Sequence, residues 1–450
     1  MKKIIITAFL CLSLLLFSGC SFTNQNNNSQ DLEKESELKT ITQYFTDGNG
    51  SEQSPFKIYN VSELQNVATL VNEGITFSQI HIELKNDIDC QNIDWMPIGG
   101  CTYNYYFQGV FNGNGFTIKN INIYDCKYPT YSDSDKKVVL YHIGLFGQTK
   151  DAEIKNLYVE NINISPKSYT IGQNGTNARI GGLIGLARNT KIENCHIKSI
   201  EVSFKMSLYQ YMCVGGLIGQ SWSNTVCTTT TNCNVDVRAG GVDCGGFIGS
   251  SSGDNVSYCF SQGNIEVLSN DYSGCNVGGF IGKLSYSRSQ STYNEIAKEY
   301  TEYRYLDSVF KECFSSININ ASAGYYAAVS SGYPDCMVGG FIGRIGETNR
   351  TINVIHIYDI GTLSKCFATG NISVNAHDYS IGGFIGNSPV QIPNSNYCIN
   401  EQQFLYMDIR PIQGNTLCTT ISKSKLIEFI TNNWNSEMWE IGTLEYPILK

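Results

Sequence analysis

A five-residue phrase returns along this chain. It reads GGLIG at 181–185 and 215–219, then GGFIG at 245–249, 278–282, 339–343 and 382–386, with a degenerate first copy, IGLFG, at 143–147. The starting positions lie 38, 34, 30, 33, 61 and 43 residues apart, so the underlying period is about 30 and the longer gaps carry insertions. Self-similarity at that period means stacked units, because one unit of this size cannot bury its own hydrophobic face.

The segment after each phrase also recurs. Glu193-Asn194-Cys195-His196, Asn232-Cys233, Ser257-Tyr258-Cys259-Phe260, Glu312-Cys313-Phe314 and Lys365-Cys366-Phe367 stand downstream of successive copies, and three continue into GNIEV (263–267), SININ (316–320) and GNISV (370–374). One repeat therefore holds three short β-rich pieces bounded by Gly, Asn and Ser, which predicts an all-β coil of three strands rather than helix pairs. In Val277-Gly278-Gly279-Phe280-Ile281, strand alternation puts Val and Ile on one face and Phe on the other. Paired glycines suit a place where successive backbones bend or pack closely, because they carry no Cβ.

These phrases, with the Cys-Phe-Ser-x-Gly-Asn-Ile continuation, resemble the GLUG motif, a bacterial surface-protein repeat also found beside the peptidase domain of IgA1-specific metallopeptidases. FKIYNVSELQNVATLVN, LKNDIDC, WMPIG and FQGVFNGNGFTIKNI resemble the lead-in of such proteins, so the resemblance covers roughly 55–450. It implies a right-handed parallel β-helix solenoid at a cell surface. HExxH, CxxC and GxxxxGK[ST] are absent from the sequence, so the zinc-peptidase machinery of those relatives is not carried here, and no metal or cofactor is expected.

Residues 1–19 read as a secretory signal: Lys2 and Lys3 precede an apolar run from Ile4 to Phe17, followed by Ser18-Gly19. The run is shorter than the ~20 residues of a membrane-spanning helix. Cys20 directly after Ser-Gly resembles the lipobox of bacterial lipoproteins, with Leu16-Phe17 where a single leucine is more usual. The resemblance implies that Cys20 is lipidated, palmitate included, and anchors the chain to a cell membrane or outer membrane; an ordinary cleaved signal is the alternative. Residues 20–46, rich in Asn, Gln, Ser, Glu and Lys, lack the apolar content to fold and read as a disordered tether spanning roughly 28 Å.

Residues 47–142 read as an N-terminal cap with the first coils. Phe56 to Tyr59 is strand-like, Ser62 and Gln65 form a capping-box start, and Leu64, Val67, Ala68 and Val71 make one apolar helical stripe ending at Gly74. Such a helix would cover an open sheet end. Asp87, Asp89 and Asp94 cluster in NDIDCQNID, a trio that could hold calcium or work as acid and base on a glycan, against the plainer reading of turn and edge residues. Residues 143–398 form the repeat body, whose seven coils at about 4.8 Å each give a rod of roughly 34 Å. Residues 399–450 form a C-terminal cap, with a short helix from Ser422 to Trp434 carrying Leu426, Ile427 and Ile430, and with Trp439, Tyr446 and Leu449 sealing the last coil. Short α-helical caps are thus expected at both ends.

Two insertions break the period. In SYSRSQSTYNEIAKEYTEYRYL, Tyr293, Ile296, Ala297, Tyr300 and Tyr303 fall at helical spacing, and Ala321–Pro334 carries Tyr325, Tyr326 and Tyr333. Insertions in repeat proteins emerge on one face, often the binding face, and tyrosine combines an apolar ring with a polar tip. Tyr293, Tyr300, Tyr303, Tyr325, Tyr326 and Tyr333 are the candidate ligand-binding residues; a helix that merely covers one flank is the alternative.

Removing Lys2 and Lys3 takes the formal charge from −9 to −11, a surface that repels phosphate backbones and excludes nucleic acid as an expected partner. Of 17 cysteines, fifteen lie beyond Cys11 and Cys20. Nine of these form two series, 195, 233, 259, 313 and 366, and 213, 244, 275 and 336, and most are expected to be small buried residues stacked coil on coil rather than disulfides. Gly249-Ser250-Ser251-Ser252-Gly253 fits GxSxG but lies inside a repeat, without the strand-to-helix elbow a nucleophile needs. The expectation is a membrane-anchored surface protein that binds a host or neighbouring-cell glycan or protein in an adhesin-like way, without catalysis. The alternatives are a β-helix polysaccharide lyase or glycoside hydrolase, and a structural spacer for another surface protein.

Overall fold

The computed structural model describes residues 36–91, 93–100, 104–124, 131–133, 136–138, 140–165, 177–206, 210–269, 274–294, 299–324, 336–346, 354–359, 363–388, 396–399, 404–406, 410–411, 419–442 and 447–450. Cys20, Tyr325, Tyr326 and Tyr333 lie outside them.

The glycine phrase is a corner, not a strand. Cys275–Gly278 ends a strand in one sheet and Ile281–Leu284 begins a strand in another, so alternation is broken at Gly279-Phe280 and Val277, Phe280 and Ile281 are all fully buried. The same division holds along the chain. Strands before the phrase, from Leu140–Ile143 to Tyr379–Gly382, build one seven-stranded sheet, and strands after it, from Phe146–Lys150 to Ile385–Asn387, build a second. The downstream pieces enter a third, broader sheet through strands such as Thr230–Ala239, Phe260–Ser269 and Phe314–Ala323. Pairing is parallel in all three, apart from Phe404–Tyr406 against Arg410–Pro411. The protein is all-β in its body, with three parallel sheets.

Each glycine of the phrase sits where a side chain cannot. A Cβ on Gly246 would lie 2.3 Å from the Gly279 carbonyl oxygen, and one on Gly279 would lie 2.1 Å from that of Gly340, so the second glycines of successive copies touch backbone to backbone. A Cβ on Gly278 would meet the Ile281 carbonyl at 1.9 Å, and one on Gly282 the Cys244 amide nitrogen at 2.4 Å. The first copy is one residue shorter: Ile143 aligns with Ile180, whereas Phe146 aligns with Ile184. After the glycines, Phe247, Phe280, Phe341 and Phe384 stack at centroid distances of 4.4, 4.7 and 4.9 Å, a column of rings through the core.

The second recurring motif is also a corner. Asn194, Thr228, Tyr258, Glu312 and Lys365 all have φ between 45° and 56°, the left-handed region. Each precedes a buried residue, Cys195, Thr229, Cys259, Cys313 and Cys366, which share one register position. Their hydrogen bonds repeat: Cys259 Sγ donates to the Ser257 carbonyl at 3.1 Å, and the Thr229 hydroxyl donates to that of Cys227 at 2.8 Å. This corrects the series read from spacing, because Cys233 pairs with Ile200 and Gly263 and belongs to another row. The second series dissolves in the same way: Cys213 aligns with Asp243 and Cys244 with Val277, and within it only Cys275 and Cys336 stand opposite one another. Their Sγ atoms are 2.6 Å apart.

The N-terminal helix runs Val61–Asn72 and buries Leu64, Val67, Ala68 and Val71 as expected, with Gly74 beyond it at φ +103°. Its cap differs. Asn60, not Ser62, accepts the Glu63 amide, and the Glu63 carboxylate takes the Tyr59 amide at 2.6 Å. Part of the segment read as tether is structured: residues 36–42 are helical, and Ile41 and Phe45 are buried in the core. At the other end, Lys423–Asn433 is a helix. Its Leu426 and Ile430, with Trp434 and Trp439, pack on Phe314 and Phe367 in a cluster separate from the main core. Alternation places Phe314 on the outer face of the broad sheet, opposite the buried Cys313, so this segment covers a flank of the stack rather than sealing its last coil.

The described parts of the tyrosine insertion are strands where the spacing predicts a helix. Arg288–Asn294 and Glu299–Leu306 form an antiparallel pair, and Val354–Asp359 from the next coil's insertion adds a parallel third strand. β-branched and aromatic residues alternating with polar ones, EYTEYRYL against VIHIYD, favour this pairing over the helical spacing.

Candidate functional site

On the outer face of the broad sheet, register brings two polar rows side by side. Glu201, Asn234, Asn264, Asn318 and Asn371 form one. Two residues on, Ser203, Asp236, Glu266, Asn320 and Ser373 form the other. The residues between, Val202, Val235, Ile265, Ile319 and Ile372, point inward and are at most 4% exposed. Together the rows line an open groove of about 520 Å³. Five strands at about 4.8 Å make it roughly 19 Å long.

The asparagine row is a single hydrogen-bonded column with one direction. Asn318 Nδ2 donates to Asn264 Oδ1 at 3.3 Å, Asn264 Nδ2 to Asn234 Oδ1 at 3.0 Å, and Asn234 Nδ2 to Glu201 Oε1 at 2.7 Å. At the far end the Asn371 backbone N–H donates to Asn318 Oδ1 at 3.1 Å. Asparagine suits the row because each side chain can both donate and accept, so each coil is pinned to the one before it. The second row is different. Asp236 and Glu266 stand directly opposite, and neither makes an ion pair or hydrogen bond among the described residues.

Sequence reading missed this groove. Its signal was present in GNIEV, SININ and GNISV, whose Asn-x-Glu, Asn-x-Asn and Asn-x-Ser patterns place like residues in like rows once the register is known.

The residues singled out by sequence fare differently. Asp87 Oδ1 accepts the Thr117 amide at 2.8 Å, Asp94 Oδ1 the Tyr124 amide at 2.8 Å, and Asp89 Oδ1 the Asn120 side chain at 2.9 Å. That Asn120 bond leads the causes holding the Asp89 carboxyl below its ordinary value. Each carboxylate fastens one coil to the next, and among the described residues no group of three metal-ligating side chains forms. In the backbone pairing Tyr293 stands opposite Tyr300, and Tyr303 opposite Gln290.

The GxSxG serine is internal. Ser251 is fully buried and donates to Asp254 Oδ2 at 2.5 Å; Asp254 Oδ1 in turn accepts the Asn224 amide at 2.8 Å. Burial raises the Asp254 carboxyl above its ordinary range against those hydrogen bonds. Among the described residues no histidine belongs to this network, which continues instead through Asn224 to the Thr190 amide. Burial likewise pushes the Cys195 and Cys233 thiols up to about 12, so neither offers a thiolate nucleophile.

No family model matches the chain. Over 255 residues, 56% of its length, it is 26% identical to the "Putative Gly-rich membrane protein" of Evansella cellulosilytica, and the match spans 24% of that protein. No helix among the described residues is long and apolar enough to cross a membrane. Among solved structures, a "putative immunoglobulin A1 protease" from Bacteroides ovatus aligns over 90% of this chain and 95% of its own, at 16% identity and a TM-score of 0.45. An "IgA1 Protease" aligns over 80% of this chain and 25% of its own, at 13% identity and a TM-score of 0.42.

Proposed function

We propose that this chain is a right-handed parallel β-helix of the GLUG-repeat kind, held at a cell surface through lipid on Cys20, and that it works by binding an extended glycan along the groove of its broad sheet. The observation that carries the reading is the pair of register-aligned polar rows, which repeat donors and acceptors at every coil step over five coils. A polymer of hydroxyl-bearing units could meet such a surface one coil at a time. The intervening Val and Ile are turned inward, so the polar contacts the groove can make come from the two rows. The carboxylates favour adhesion over turnover: Asp87, Asp89 and Asp94 are spent on holding coils together.

The test is glycan-array binding by the exported chain beside Asn264→Ala/Asn318→Ala. Capture of intact sugars by the parent, lost in the variant, is expected. Release of reducing ends or unsaturated products from a polysaccharide panel would instead establish an enzyme. Metabolic labelling with palmitate, lost on Cys20→Ser, tests the anchor separately.

A further inference from the structure

We infer that the groove selects a glycan bearing free amines, a polymer of unacetylated amino sugars, over neutral or acidic glycans. The inference rests on the glycan reading of the groove and goes further, from hydrogen bonding to charge.

Two like charges facing each other across neighbouring strands destabilise a sheet. Asp236 and Glu266 do this in the middle of the groove, and Glu201 adds a third carboxylate at its edge. Among the described residues nothing neutralises the facing pair. Lys205 and Arg238 occupy the next row outward and form no ion pair with either among the described residues. A second observation points into the same space. Ser373 continues the Asp236–Glu266–Asn320 row, is 8% exposed, and its buried Oγ has no hydrogen-bond partner. A row offering two uncompensated carboxylates, an amide and an unmatched hydroxyl fits a ligand that brings cationic donors and hydroxyl acceptors together. A protonated amino sugar carries both on each ring. A metal ion fits less well, since no set of three ligating side chains converges among the described residues. A basic peptide would bring charge without the ring hydroxyls that the amide and the unmatched hydroxyl of the row would meet.

The experiment measures binding of the full exported chain to a fully deacetylated glucosamine hexamer, to the same hexamer fully N-acetylated, and to a lysine hexapeptide. The deacetylated hexamer is expected to bind about tenfold or more tightly than its acetylated counterpart, with an advantage that shrinks as salt rises. Asp236→Asn/Glu266→Gln should erase that advantage while leaving thermal stability unchanged or raised, because it removes a repulsion. Equal binding of the two sugars, or an advantage that survives the double variant, would overturn the charge inference and leave the glycan groove standing. Tighter binding of the lysine peptide than of either sugar would overturn it in favour of a basic protein partner. Failure of both sugars, in a chain whose Asn264→Ala/Asn318→Ala variant behaves identically, would sink the underlying glycan reading as well.

Discussion

Glu312 and Asn435 lie 123 residues apart, yet a Glu312 carboxylate oxygen accepts the Asn435 backbone N–H at 3.0 Å. Glu312 is 2% exposed, occupies a left-handed corner, and has Lys365 Nζ 3.5 Å from its other oxygen. It is the clasp that holds the C-terminal segment over Phe314 and Phe367. Replacing it with Ala removes a charged acceptor from the half-buried Asn435 N–H, a loss of about 1–3 kcal/mol. Hydrogen exchange should quicken across 423–441 while the repeat body stays protected. Uniform quickening would show that the segment is not a separable cover.

The second glycine of each phrase is predicted to tolerate no side chain. Gly279→Ala drives a methyl into the Gly340 carbonyl and the Ser315 hydroxyl, and overpacking of this kind costs about 1–3 kcal/mol or more where backbone must move. Gly115→Ala meets nothing within 4 Å and loses only through its φ of +78°. Melting temperatures should therefore fall much further for Gly279→Ala. Equal losses would mean that backbone conformation, not close approach, requires glycine in the phrase.

Asp254 predicts a pH dependence. Its folded-state pKa lies above the unfolded value, so its contribution favours folding most at low pH and is lost as pH rises from about 3.8 through the raised value. Asp254→Asn keeps the acceptor for Asn224 and removes the titration. The melting temperature of the variant, relative to the parent, should climb as pH rises through that window. Parallel curves would show that Asp254 titrates normally.

Cys275 and Cys336 are register partners with sulfurs 2.6 Å apart, while Cys195, Cys259, Cys313 and Cys366 donate to carbonyls instead. Mild oxidation with diamide should link the first pair and leave the other four alkylatable after unfolding, which peptide mapping without reductant would read. A link between any of those four would contradict the hydrogen-bonding role assigned to them.

Much of this fold could be read from sequence because its information is periodic. The glycine phrase announced close backbone approach, and Leu64, Val67, Ala68 and Val71 announced the cap helix. What stayed hidden depended on register. Spacing grouped Cys233 with Cys259, although a shift of a few residues moves a side chain to another row. Tyr293, Tyr300 and Tyr303 matched a helical period by coincidence, and pairing with a strand from the next insertion overrode it. The groove was invisible for the same reason, since Asn234, Asn264 and Asn318 become neighbours only once the coils are superimposed.

The direction of the asparagine column has a consequence for how such a chain can change length. Every amide in it leans the same way and hands its donor to the unit before, ending on the Glu201 carboxylate, so the units are interchangeable links. Losing or duplicating a whole unit would leave no donor stranded and no acceptor idle. A molecule of this design can lengthen or shorten its reach in whole coils while keeping the same chemistry along its exposed face.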